Sequence, residues 1–234
     1  MKRIAIYAAV AFLIVLAVAS LVFSKHFRAE ELSPAQLHAK PPFPPEDPCY
    51  EFESARASEP VEMQSKQPVR NTEQLSSDEI AIYRILIGRW SSGGQVKVYS
   101  KTFPLELDRI DCTCFKGMNP AAVLAASHTY RYLTRDVLPG KHAILVSPGS
   151  DAAHIRDPHE GMQQGESVEV AVNKAFENGL LSLSQIALDK EHRHAVVGFS
   201  FRCGSLCGNG STFVFEKVDG EWKETDQTCG GYIS

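Results

Sequence analysis

Eight of the chain's thirteen prolines fall between Pro34 and Pro68, five of them in PPFPPEDP at 41–48. Proline fixes φ and offers no N–H, so neither a helix interior nor a central strand can run through such a stretch. Its few large apolar residues bury too little surface to offset the entropy of ordering. Residues 25–75 therefore read as an extended, partly polyproline II stalk, and a folded domain is confined to 76–234. A less favoured use of PPFPP is as a ligand for an aromatic-lined groove. Cys49 is out of place in a stalk, and its expected role is to tie the stalk to the domain or to another chain.

Upstream of the stalk, residues 1–24 are of a different kind. Lys2 and Arg3 precede twenty residues, Ile4 to Phe23, in which Ser20 alone is clearly polar. At about 1.5 Å per residue such a helix spans roughly 30 Å, the thickness of a bilayer's hydrocarbon core. The expectation is a single-pass anchor with residues 4–23 in the membrane and the body of the chain exported. The alternative is a signal peptide cleaved near Ala19, after Ala17-Val18-Ala19, leaving a secreted or periplasmic protein. Against cleavage, Leu21-Val22-Phe23 carries the apolar run past that site. Six cysteines, all beyond the run, fit an oxidising compartment. The net charge of −4 comes without a basic stripe, so no nucleic-acid partner is expected.

Within 76–234 the periodicity switches between helix and strand. Ser76-x-x-Glu79 is a capping-box pattern ahead of Ile80, Tyr83, Ile87 and Trp90, predicting a helix over 78–89 that stops at the SSGG of 91–94. Gln95–Phe103 alternates as a strand. Asn119-Pro120 opens a second helix, cap followed by first-turn proline. His142–Val146 reads as a short buried strand, 148–166 as a polar loop, and Ser167–Phe176 as a short helix. The last 55 residues hold strands at 180–188, 194–203 and 211–217 and a fourth from Glu221, joined by short turns. The expected class is α+β: an antiparallel C-terminal meander packed with two or three helices.

This C-terminal meander resembles a group of exported bacterial proteins of unknown function. Their shared tail has a Ser-x-Val/Ile strand, an acidic turn, an Ala-Val-Val strand, Cys-Gly-x-Leu-Cys-Gly-x-Gly, Glu-Lys and Asp-Gly-x-Trp-Lys. Here these are Ser184–Ile186, Asp189, Ala195–Val197, Cys203–Gly210, Glu216-Lys217 and Asp219–Lys223. The likeness covers roughly 180–225 and implies a signal-bearing protein of the bacterial cell envelope with an α+β domain. VFEKVDGEWK is also similar to the last hairpin of NTF2-like cone-shaped domains, a likeness at fold level only.

The residues that could carry chemistry each have a plainer reading. Cys203 and Cys207 end two strands, so a hairpin can bring their Cβ atoms within disulfide reach. Their C-x3-C spacing is not that of thioredoxin-like sites. Cys112 and Cys114 add a second close pair, and four thiolates could bind zinc, although the spacing is uncommon. Six cysteines allow fifteen pairings; the expected set joins Cys203 to Cys207, with Cys229 meeting Cys112, Cys114 or Cys49. Gly204, Gly208 and Gly210 read as loop-shaping rather than as an anion nest. His192 and His194 would share a strand face, and His154 and His159 sit in a polar loop beside Asp151 and Asp157. A Cys203 or Cys207 nucleophile with His128 or His194 depends on the fold. Trp90, Trp222, Tyr130, Tyr132 and Phe199–Phe201 read as core or core edge.

The expected function is a binding or structural role in the envelope, without catalysis and with no cofactor. The alternatives are a thiol-redox or metal-binding protein using Cys203/Cys207 with Cys112/Cys114, or an NTF2-like small-molecule binder.

Overall fold

A computed structural model describes residues 49–59, 67–91, 95–205 and 207–233. The apolar run at 4–23 and PPFPPEDP lie outside them, and among the described residues no helix is long and apolar enough to cross a membrane. In chain order the elements are α1 (Tyr50–Ala57), β1 (Val69–Arg70), α2 (Ser77–Ser91), β2 (Val96–Tyr99), α3 (Pro120–His128), β3 (Thr129–Tyr130) and β4 (Ala143–Val146). Then come α4 (Pro158–Gln163), α5 (Val168–Glu177), β5 (Leu180–Leu188), β6 (His194–Arg202), β7 (Gly208–Val218) and β8 (Glu221–Ile233).

The main sheet has the order β4-β2-β5-β6-β7-β8. Strands β5 to β8 form the antiparallel meander read from the sequence. The sheet does not end there. Strand β2 lies parallel both to β5 and to β4, so the class is α+β with a mixed sheet and, among the described residues, five α-helices instead of two or three. The crossover helices supply the return path that parallel neighbours require.

Helix α2 follows from its cap. The Ser76 N–H and Oγ donate to Glu79 Oε2 at 2.8 and 2.9 Å, and the Glu79 N–H donates to Ser76 Oγ at 3.2 Å, a complete capping box. Ile82, Tyr83, Leu86 and Ile87 are buried against one sheet face, while Ile80 and Trp90 pack at its margin. That face presents Val98, Leu181, Leu183, Ala195, Val197, Phe199, Phe201, Phe213 and Phe215. Trp90 stacks on Phe201 with ring centroids 4.5 Å apart.

A polar cluster closes the N-terminal end of this helix. Asp78 accepts from Lys217 Nζ at 2.6 Å and Trp222 Nε1 at 2.9 Å, and its second oxygen lies 3.0 Å from His192 Nδ1. Burial alone would raise the Asp78 pKa; the bonds from Lys217, Trp222 and His192 outweigh it and hold the carboxyl below its ordinary value. A lowered folded pKa stabilises the fold above the unfolded value and is lost as pH falls through the folded one. Asp78→Asn should therefore destabilise the protein at neutral pH, with the gap to the parent narrowing between about pH 5 and pH 2. Urea denaturation across that range measures it, and a gap independent of pH would contradict the ionic role of Asp78.

Two readings of the chain need correction. Part of the segment expected to be stalk is folded: α1 lies within 25–75, with Cys49 and Phe52 buried. Phe52 packs on Phe115 with centroids 4.7 Å apart, and Cys49 is bonded to Cys112, so tertiary contacts order a stretch whose composition alone would not. The loop expected over 148–166 contains α4, whose cap Asp157 accepts from the His159 N–H at 2.8 Å.

Candidate functional site

The face of the sheet opposite α2 is divided in two. One half is apolar: Ala187, Val196, Val214 and Cys229 pack under α1, α3 and the segment 112–115. In the other half the same strands turn small and polar. Side chains alternate across a strand, so beyond Val196 the face carries Gly198, Ser200 and Arg202, while Phe199 and Phe201 stay on the α2 side. Cross-strand pairing sets Ser182 beside Ser200, Thr212 beside Gly198, and Gly210 between Ser200 and Tyr232. These residues floor a groove of about 1320 Å³, larger than the roughly 300–1,000 Å³ of ordinary small-ligand pockets.

The wall is the segment 101–110, which crosses the sheet at the division. Near β5, Phe103 donates its N–H to the Leu183 carbonyl at 3.0 Å and accepts from the Gln185 N–H at 2.8 Å. This pairing falls where β5 slips register against β6, between Leu183 and Ile186. At the far side the Arg109 carbonyl lies against Gly230; a Cβ there would approach its oxygen to 2.2 Å, and φ is +97°, so both the space and the backbone require glycine. The wall brings Lys101, Phe103, Glu106 and Arg109 to the groove, and Tyr130 of β3 joins them.

Two disulfides hold the wall. Cys114 is bonded to Cys229, next to Gly230, and Cys112 to Cys49, which precedes α1. The close pair Cys112 and Cys114 is thus split between two bridges that clamp the wall to β8 on one side and to α1 on the other. With Cys112 and Cys114 in these bridges and Cys203 bonded to Cys207, none of the four is a free thiolate, as the four-thiolate zinc reading would need. Among the described residues no group of three or more His, Cys, Asp and Glu side chains is placed to hold a metal ion.

The third bridge, Cys203–Cys207, closes the loop between β6 and β7 with its Cα atoms 5.1 Å apart. The Cys203 N–H donates to the Cys207 carbonyl at 2.9 Å. Asp157 reaches this loop, accepting the Ser205 N–H at 2.8 Å. The backbone N–H of His159, followed by Ser205, holds the Asp157 pKa below its ordinary value. Gly204, at φ +114°, does shape the loop, but Gly208 and Gly210 do not. Both belong to β7, and Gly210 is small because a Cβ would come within 2.4 Å of the Tyr232 ring.

The histidines are dispersed. His192, in the turn before β6, pairs with Asp78, while His194 lies 3.0 Å from Asp189 Oδ2, so the two do not act on one face. Asp189 would be raised by burial, but bonds from His194 and the Arg193 N–H hold it low. His128 Nε2 sits 2.8 Å from Glu59 Oε1. His194 opens β6 and Cys203 follows its other end, so the other eight residues of the strand separate them. Trp222 is buried as expected, but Tyr130 is not simply core edge: it lines the groove under the Lys101 ammonium, 3.8 Å from its ring centroid.

Reading the sequence missed the groove, although one signal was present. In HAVVGFSFR the apolar half of the alternation continues while the other half passes from valine to glycine, serine and arginine. Comparison of the chain with models of protein families, with curated proteins and with solved structures finds no match.

Proposed function

We propose that this is an exported, membrane-tethered binding protein of the cell envelope, with residues 4–23 as the anchor and the groove as the binding site. The observation that carries the reading is that the groove wall is fastened by two disulfides, Cys114–Cys229 and Cys49–Cys112. Such a site keeps its shape where thiols are oxidised, which is outside the reducing cytoplasm. The groove lining argues for binding over hydrolysis. Among the described residues its single carboxylate is Glu106, and Arg109 Nε holds that at 3.3 Å. Glycosidase chemistry, the common hydrolytic use of an open groove, calls for a pair of carboxylates.

The test is the thiol state of the full chain extracted from membranes of producing cells. Alkylation before reduction should label none of the six cysteines, and alkylation after denaturation and reduction should label all of them, with the protein in the membrane fraction. A folded chain that reacts at Cys112, Cys114 or Cys229 without reduction, or one recovered in the cytosol, would overturn the reading.

A further inference from the structure

We infer that the groove takes an acidic oligosaccharide whose sugars carry carboxylates; this rests on the binding reading above and names its ligand. The chain as a whole is negative, at −4, yet the lining carries Lys101, Arg109 and Arg202 against Glu106 alone. Glu106 is paired to Arg109. Lys101 and Arg202 have no carboxylate partner among the described residues, and Lys101 lies over the Tyr130 ring instead. A protein with a carboxylate surplus that, among its described residues, leaves two cations without a carboxylate at one concave site presents that site to an anion.

The cations are spread out. Arg202 ends β6, Lys101 stands on the β5 side of the floor, and Arg109 stands on the β8 side, against Gly230. From β5 to β8 is three strand spacings, about 14 Å. Side chains rooted on backbones that far apart, with the Lys101 ammonium over Tyr130 and the Arg109 guanidinium over Tyr232, suit single charges repeated along a chain better than one phosphate. The planar guanidinium forks of Arg109 and Arg202 suit carboxylates, which they can meet with two parallel hydrogen bonds.

The rest of the lining suits sugar. Ser182, Ser200, Thr212 and Tyr232 bring hydroxyls to the floor, and the Ser200 and Tyr232 hydroxyls are already bonded to each other at 2.6 Å. Gly210 lets the Tyr232 ring lie down against β7, and Tyr130 stands at the opposite wall, so two aromatic rings border the hydroxylated floor. An acidic peptide is the competing occupant, and the topology disfavours it. Extended peptides are bound by adding to a free sheet edge through main-chain hydrogen bonds. The floor strands β5, β6 and β7 are each paired on both sides, so the floor offers side chains and not a backbone edge.

The experiment is calorimetric titration of the full chain in detergent, disulfides intact, with trigalacturonate, its fully methyl-esterified form and hexaglutamate. Trigalacturonate should bind, the neutral ester at least about tenfold more weakly, and hexaglutamate more weakly than trigalacturonate. Raising salt from about 50 mM to about 500 mM should weaken the acid and leave the ester unchanged. Lys101→Gln and Arg202→Gln should each weaken trigalacturonate several-fold; neither side chain makes an ion pair among the described residues, and unchanged urea midpoints establish that both variants are folded. Equal binding of the ester, binding of hexaglutamate as tight as of trigalacturonate, or no binding of trigalacturonate would each overturn the ligand assignment. The thiol-state measurement is independent of it, so failure of the ligand and failure of the exported stapled domain are told apart.

Discussion

Arg131→Met should cost the domain about 3–5 kcal/mol, the range for breaking one side of a buried ion pair. Arg131 Nη1 lies 3.0 Å from Glu79 Oε1, and the two side chains are 13 % and 8 % exposed. Glu79 has a second task, because its other oxygen accepts both Ser76 donors at the start of α2. Removing the guanidinium leaves a buried carboxylate held only by the cap. The strain of that unpaired charge falls on the helix that covers the main core. Adding Glu79→Gln should return much of the loss, since glutamine can still close a capping box while carrying no charge. Urea unfolding of the parent, the single variant and the pair measures both effects. A single-variant loss under about 1 kcal/mol would place the pair with exposed salt bridges instead.

The second large effect is expected at Cys114–Cys229. These residues are 115 apart in sequence, and both are buried. On the chain-entropy account a bridge closing a loop of that size is worth about 5 kcal/mol, whereas one closing the Cys203–Cys207 loop is worth about 2 kcal/mol. Cys114→Ser with Cys229→Ser should therefore lower the urea midpoint well beyond Cys203→Ser with Cys207→Ser. It should also free the wall at its β8 end, so that trigalacturonate binding falls even at temperatures where the sheet stays folded. The short bridge lies beyond the strand ends and should spare binding by comparison. Equal midpoint shifts for the two pairs would contradict the loop-length account, and undiminished binding without Cys114–Cys229 would show that the wall stands on its packing alone.

The two bridges also explain why the fold was only partly legible. The sequence offers Cys229 three partners because nothing local distinguishes them. The choice between Cys112 and Cys114 depends on how the 101–110 wall crosses the sheet, and that depends in turn on Phe103 pairing with β5 at its bulge. The parallel strands were hidden for the same reason. VKVY alternates and AILV is an apolar run, but four residues carry no information about which neighbour they join or in which direction. Helix α1 was unreadable because its order comes from Phe52 against Phe115 and from the Cys49 bridge, not from its own eight residues.

By itself, the sequence determined the elements whose signals are local. The capping box at Ser76 and Glu79, the Asn119-Pro120 start and the period-two strands of the last 55 residues all rest on contacts within a few residues of one another. Hydrogen-bond reach and side-chain period make such signals readable along the chain. Only the tertiary structure decided the parallel edge, the partners of Cys49, Cys112, Cys114 and Cys229, and the groove. Ser182, Gly198, Ser200, Thr212 and Tyr232 come from four strands, and Lys101 and Arg109 from a wall that crosses them. Their juxtaposition is set by cross-strand register and by the closing of long loops, quantities that no short window of sequence contains.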